Sequence, residues 1–170
     1  MDANVARLRS FLSERVSPAL RERGFRQRGQ RFLAKRGPNT LVVSFQRRAD
    51  FFTCNLGVVS AYLTTTASAW EPPEHYDLRL GPITVGYDKW WDLAEPSEAL
   101  AADFLGALAK GLDYIEGVSS DKGLLDAILQ AADGDPRGLR PFEVSMVARL
   151  AESVRSTSAE EPHVTLRDAD

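Results

Sequence analysis

Leu41-Val42-Val43-Ser44-Phe45-Gln46, followed across Arg48-Ala49-Asp50 by Phe51-Phe52-Thr53-Cys54-Asn55-Leu56-Gly57, is the stretch that decides the fold class of this chain. In the first run Leu41, Val43 and Phe45 alternate with Val42, Ser44 and Gln46, the period of two that places successive side chains on opposite faces of a strand. The second run continues to Ser60 and reads as the next strand. Working backwards, Gln30 to Lys35 is joined to the first run through Arg36-Gly37-Pro38-Asn39, a turn-rich connector of hairpin length. Working forwards, Tyr76, Leu78 and Leu80 alternate with Asp77 and Arg79 to give a fourth strand, which Gly81-Pro82 interrupts. Thr64 to His75, with its threonine run and Glu71-Pro72-Pro73-Glu74, reads as an exposed loop. Short strands joined in succession by turns imply an antiparallel meander.

Helical periodicity flanks these strands. Val5, Leu8, Phe11, Leu12 and Val16 recur at three- and four-residue intervals, with Pro18 suited to a first helical position, Ser17 to its cap and Gly24 to the residue that ends the helix. After the tryptophan pair, Leu100, Phe104, Leu105, Leu108, Leu112 and Ile115 keep one apolar face for about five turns. A second helix follows Ser119-Ser120-Asp121 and a third begins at Pro141, carrying Phe142, Met146, Leu150 and Val154. The pattern predicts an α+β fold: a twisted antiparallel sheet of four to five strands, an N-terminal helix, and three C-terminal helices, packed on one face of the sheet. Residues 1–155 are expected to form one domain and residues 156–170 a flexible tail.

Hydrophobic residues make up 44% of the 170 and charged residues 26%, enough for a single core without disulfides or a structural metal. No apolar run reaches the ~18 residues that cross a bilayer, and the polar, basic start of the chain points to a cytoplasmic protein. Cys54 is the only cysteine, which leaves no internal disulfide and no cysteine-based zinc site, and its neighbours suggest a small buried side chain. Charge is uneven: residues 1–50 hold 12 Lys+Arg against 4 Asp+Glu, whereas residues 51–170 hold 9 against 20. The arginine-rich first half raises nucleic acid as a partner, and the net charge of −3 weighs against it.

Candidate functional residues follow from strand parity. Gln46 lies opposite Phe45, Asn55 opposite Cys54 and Leu56, and Arg79 opposite Leu78 and Leu80. If Arg31 and Asp88 join them, Arg31, Gln46, Asn55, Arg79 and Asp88 form a donor-rich polar face suited to a carboxylate, a phosphate or a protein backbone. Trp90 and Trp91 are adjacent on an extended segment, so one ring can close the core while the other anchors a partner. Ser44, Ser60 and Cys54 have no accompanying base or nucleophile elbow, and His75 and His163 are placed in a loop and the tail. Gly81 to Gly86 lacks the lysine and hydroxyl of a phosphate loop. No catalytic residue, metal ligand or cofactor is expected from these patterns.

Gly24-Phe25, Gly29 to Phe32, Phe45-Gln46, Asn55-Leu56-Gly57, Arg79-Leu80-Gly81 and Asp88 with Trp90-Trp91 together resemble an uncharacterised bacterial family, DUF4304, over roughly residues 5–130. The resemblance implies a small cytoplasmic α+β domain and carries over no catalytic residue. The resulting expectation is a non-enzymatic interaction or regulatory domain that binds a protein partner through Arg31, Gln46, Asn55, Arg79, Asp88, Trp90 and Trp91. The alternatives are a small-ligand binder or enzyme using a polar pocket on the sheet, and a nucleic-acid binder using the arginine-rich half.

Overall fold

The structure, a computed structural model, describes residues 3–66, 74–95, 97–135 and 138–160. The chain starts as helix α1 (Ala3–Phe11), passes through a π-helical turn over Leu12–Val16 and continues as α2 (Ser17–Glu22). The sequence suggested a new cap at Ser17, but Ser17 is itself helical (φ −57°, ψ −44°) and the helix does not break there. In a regular helix the ring of Pro18 would meet the carbonyl four residues earlier. Widening the preceding turn, with the Ser17 N–H donating to the Leu12 carbonyl, carries the helix past the proline. Gly24, at φ 81°, then ends it as expected.

Among the described residues the sheet has six strands, against the four to five expected. β1 (Arg26–Arg28), β2 (Arg31–Arg36), β3 (Asn39–Arg48), β4 (Phe51–Val59) and β5 (Tyr76–Arg79) are antiparallel neighbours in chain order. β6 (Trp91–Asp92) pairs with Phe51 and Phe52, on β4. β5 and β6 therefore occupy successive stretches of β4. Two short helices replace irregular or extended chain. α3 (Ala61–Thr66) overlaps the loop expected from Thr64; Ser60 starts it, its hydroxyl accepting from the Leu63 N–H (3.2 Å). α4 (Leu80–Val85) replaces the end of the fourth strand, and Gly81 explains why: a Cβ there would lie 2.3 Å from the Lys89 nitrogen and 2.5 Å from the Tyr87 carbonyl. The chain turns back on itself too closely for any side chain at that position.

One sheet face holds Phe32, Ala34, Leu41, Val43, Phe52, Cys54, Leu56 and Val58, all buried beneath helices. α5 (Ser97–Gly117) lays Leu100, Phe104, Leu108, Leu112 and Ile115 on it. Phe104 is the hub of an aromatic cluster, with centroids 5.1 Å from Trp91, 5.2 Å from Phe52 and 5.8 Å from Phe11. Such pairs add about 0.5–1.5 kcal/mol beyond the area they bury. α6 (Asp121–Asp133) and α7 (Pro141–Glu160) pack on each other beside α3. α7 runs past the expected boundary at residue 155. Ser156, Thr157 and Ser158 each donate a hydroxyl hydrogen bond to the carbonyl four residues earlier, satisfying polar side chains that had read as a tail. The remainder of that expected tail, residues 161–170, lies outside the described residues.

The α6–α7 pair is tied to the sheet by polar contacts. Asn39, fully buried, donates to the Ser119 carbonyl (2.8 Å) and to Asp121 Oδ1 (3.0 Å) and accepts from the Ala61 N–H (2.9 Å). Asp121 also accepts from the hydroxyls of Ser60 (2.9 Å) and Ser153 (2.7 Å). His75, expected in an open loop, is buried, and its Nδ1 accepts from the Ser60 N–H (3.0 Å). Among the described residues, no helix is long and apolar enough to cross a membrane.

Candidate functional site

The face of the sheet opposite the helices carries the polar residues that strand parity had grouped. Pairing register arranges them in a line. Arg28 stands opposite Arg31, Arg31 opposite Ser44, Ser44 opposite Asn55, and Asn55 opposite Arg79, so one row crosses β1 to β5. The adjoining row is Arg26, Leu33, Val42, Gly57 and Asp77. Directly opposed like charges are unfavourable on a sheet, and the Arg28–Arg31 pair makes the β1–β2 corner cationic. Lys35 extends the same side of β2, two pairs beyond Leu33.

At the centre lies a shallow cavity of about 130 Å³, walled by Arg31, Ser44, Gln46, Asn55, Glu74 and Asp77. Glu74 comes from the segment before β5 and meets Arg31 Nη1 at 2.7 Å. Gly57 makes room for it: a Cβ there would sit 3.0 Å from the Glu74 side chain and 3.1 Å from the Tyr76 carbonyl. Partial burial, and then the neighbouring Glu74 carboxylate, raise the Asp77 pKa above its ordinary value, while Arg31 and Arg79 pull it down. The pocket thus offers a guanidinium, amides and a hydroxyl beside two carboxylates. That set suits one small polar group.

Beside this pocket Arg79 forms an ion pair with Asp88, and its guanidinium lies 5.2 Å from the Trp90 ring centroid. The Trp90 indole donates to the same carboxylate, Asp88 Oδ2, at 3.3 Å. Thr53 steadies the strap by donating to the Lys89 carbonyl (3.1 Å). Arg79, Asp88 and Trp90 are therefore linked as one half-exposed group. Trp91 is the correction to the grouped set. Its pairing with Phe52 turns it to the core, where it is 2% exposed and its Nε1 donates to Asp103 (2.9 Å), so it supports the fold and does not reach the open face.

The structure accordingly brings Arg31, Gln46 and Asn55 to one pocket and Arg79, Asp88 and Trp90 to its flank. Sequence reasoning missed Glu74 and Asp77. Asp77 was legible, since it shares the strand parity of Arg79; Glu74 reaches the pocket from outside the strands and left no signal in the pattern. Ser60 shows why neighbouring hydroxyl, imidazole and carboxylate groups need not be a catalytic triad. Its hydroxyl donates to Asp121, and His75 Nδ1 is taken up by the Ser60 backbone N–H, so the hydroxyl proton is directed to the carboxylate and not to the imidazole. The Cys54 thiol is fully buried and burial pushes its pKa up, which leaves it an unreactive core side chain. Among the described residues no group of three or more His, Cys, Asp or Glu is placed to hold a metal ion.

The family model of DUF4304, a domain of unknown function, matches residues 16–116, from the end of the π-helical turn almost to the end of α5. The match takes in the whole sheet with its open face, and the chain belongs to this family. No curated protein and no solved structure matches the chain.

Proposed function

We propose that this protein is a non-enzymatic interaction module of the bacterial cytoplasm whose open sheet face holds an extended, acidic segment of a partner protein. The observation that carries the reading is the row Arg28–Arg31–Ser44–Asn55–Arg79 across five adjacent strands, ending beside Trp90. A segment crossing the strands would meet the cationic β1–β2 corner first, place one polar side chain in the central cavity, and rest an apolar side chain on the Trp90 strap. Arginine and tryptophan are the residues that most often dominate protein interfaces, and both are already oriented by Glu74 and Asp88. The test is affinity capture at two salt concentrations with the wild-type protein and with Trp90→Ala and Arg79→Ala. A stoichiometric protein partner, retained at high salt and lost with either substitution, supports the reading; capture unaffected by both substitutions in folded variants overturns it.

Nucleic acid is the second reading, favoured by the cationic β1–β2 corner, where Arg28 stands opposite Arg31 and Arg26 and Lys35 lie on the same side. Phosphate-driven binding weakens steeply with salt. Charge reversal at Arg26 and Arg28, which lie outside the central cavity, would then abolish retention on DNA or RNA, and unchanged retention would eliminate this reading.

A further inference from the structure

On the helical side of the sheet, away from the face just described, a groove of about 520 Å³ runs between the N-terminal helix and the β1–β2 hairpin. This is within the range of small-molecule sites. Its floor is apolar: Leu8 and Leu12 from the helix face Phe32 and Phe45 from the sheet. Phe45 points to the core side yet stays half-buried, edge-on to Phe32 with centroids 6.1 Å apart. Among the described residues no Asp or Glu lines the groove, whereas Arg9 and Arg47 both do; both are exposed at its rim, where Arg47 also donates to the Ala49 carbonyl (2.8 Å).

Ser17 adds an independent observation. It lines the groove at 3% exposure, and its hydroxyl has no hydrogen-bond partner among the described residues. Ser13 and Thr64, like the serines and threonine at the end of α7, bond back to helix carbonyls three or four residues earlier. Ser17 follows the π-helical turn, where the carbonyl ladder is displaced, and its hydroxyl is left without such a bond. A buried, unpaired hydroxyl is unfavourable, a deficit that a ligand oxygen would remove. π-helical turns are themselves concentrated at functional sites.

We propose that this groove binds a small apolar carboxylic acid. Its hydrocarbon body lies on Leu8, Leu12, Phe32 and Phe45, its carboxylate meets Arg9 and Arg47, and Ser17 Oγ donates to a ligand oxygen. The cationic rim selects the acid over a neutral compound of the same shape.

Decanoate and 1-decanol are suitable probes, followed by displacement of anilinonaphthalene sulfonate from the intact protein. Decanoate should bind one to one and raise Tm. The double variant Arg9→Gln/Arg47→Gln should weaken decanoate about 10-fold while changing decanol less than about 2-fold, as expected for loss of a charge-assisted contact. Ser17→Ala should weaken decanoate several-fold. Ser13→Trp, at an exposed position on the groove wall, should block both probes with the circular dichroism melt unchanged. Absence of saturable binding, equal loss of both probes in the arginine variant, or undiminished binding by Ser13→Trp would overturn the proposal. So would a stable homodimer in sedimentation that excludes the probes. Capture experiments on the open face leave this result untouched, because neither Arg79 nor Trp90 lines the groove.

Discussion

Asp77 is the residue at which stability and binding pull apart. Its carboxyl sits on the wall of the central cavity and Glu74 stands beside it, and both circumstances favour the protonated form in the folded protein. A raised folded pKa means that the ionised group opposes folding. The penalty is present at neutral pH and is relieved as pH falls through the raised value toward the ordinary 3.8. Asp77→Asn should therefore stabilise the protein at pH 7, by less than about 1 kcal/mol because the carboxyl is well screened by solvent. The advantage should vanish near pH 4. Thermal melts of the two proteins at pH 7 and pH 4 check this, and a variant less stable than wild type at pH 7 would show that Asp77 is held by favourable contacts after all. The Trp90-Trp91 pair shows what could be read at this scale. Adjacency on an extended segment dictates opposite faces, but only pairing of Trp91 with Phe52 decides which ring is buried, and that pairing joins residues 39 positions apart in the chain.

Among the elements, α5 packs directly on the sheet, and Gly111 stands at the contact. A Cβ at this position would come within 2.3 Å of Leu80 Cδ1 and 2.7 Å of Leu56 Cδ1. Two effects oppose each other in Gly111→Ala. Replacing a mid-helix glycine gains about 1 kcal/mol of helix propensity, whereas overpacking a core costs about 1–3 kcal/mol. The two leucine tips can shift but are themselves buried, so overpacking should win and Tm should fall by several degrees. Gly106, in the same helix with nothing within 4 Å of an added Cβ, is the internal control: Gly106→Ala should raise Tm. Equal gains from both substitutions would show that α5 is free to lift from the sheet. The long helices and the central strands were legible because each buries one face through many periods. β6, with two residues, and α4, with six, are too short to show a period. α4 also contains Ile83, Thr84 and Val85, whose branched side chains favour strand, and it forms a helix because the glycine-dependent fold-back at residues 81–89 overrides that preference.

For the molecule as a whole, the two parts of the helical layer are held to the sheet by different means. α5 is held by aromatic and aliphatic burial, and the α6–α7 pair by Leu124, Ile128, Met146 and Leu150 together with the polar contacts on Asp121. The second attachment is directional, so it should fail selectively. Asn39→Ala removes three hydrogen bonds and leaves the Ala61 N–H and the Ser119 carbonyl without their partner, a loss of about 2–4 kcal/mol. Asp121→Ala should cost a similar amount, since it strands two hydroxyls and an amide. Because the two residues bond each other, the double variant should be less damaged than the sum of the single ones by about 1 kcal/mol or more. Hydrogen exchange gives the spatial counterpart: α6 and α7 should lose protection in either variant while β3, β4 and α5 keep theirs. This separation matters for the family. The matched region ends at residue 116, before α6, and includes the sheet, both its faces and α5. If exchange loosens uniformly across β3, β4 and α5, the C-terminal pair is an integral part of the core. Selective loss would instead mark it as a layer added to a sheet whose open face and groove are built within residues 5–92.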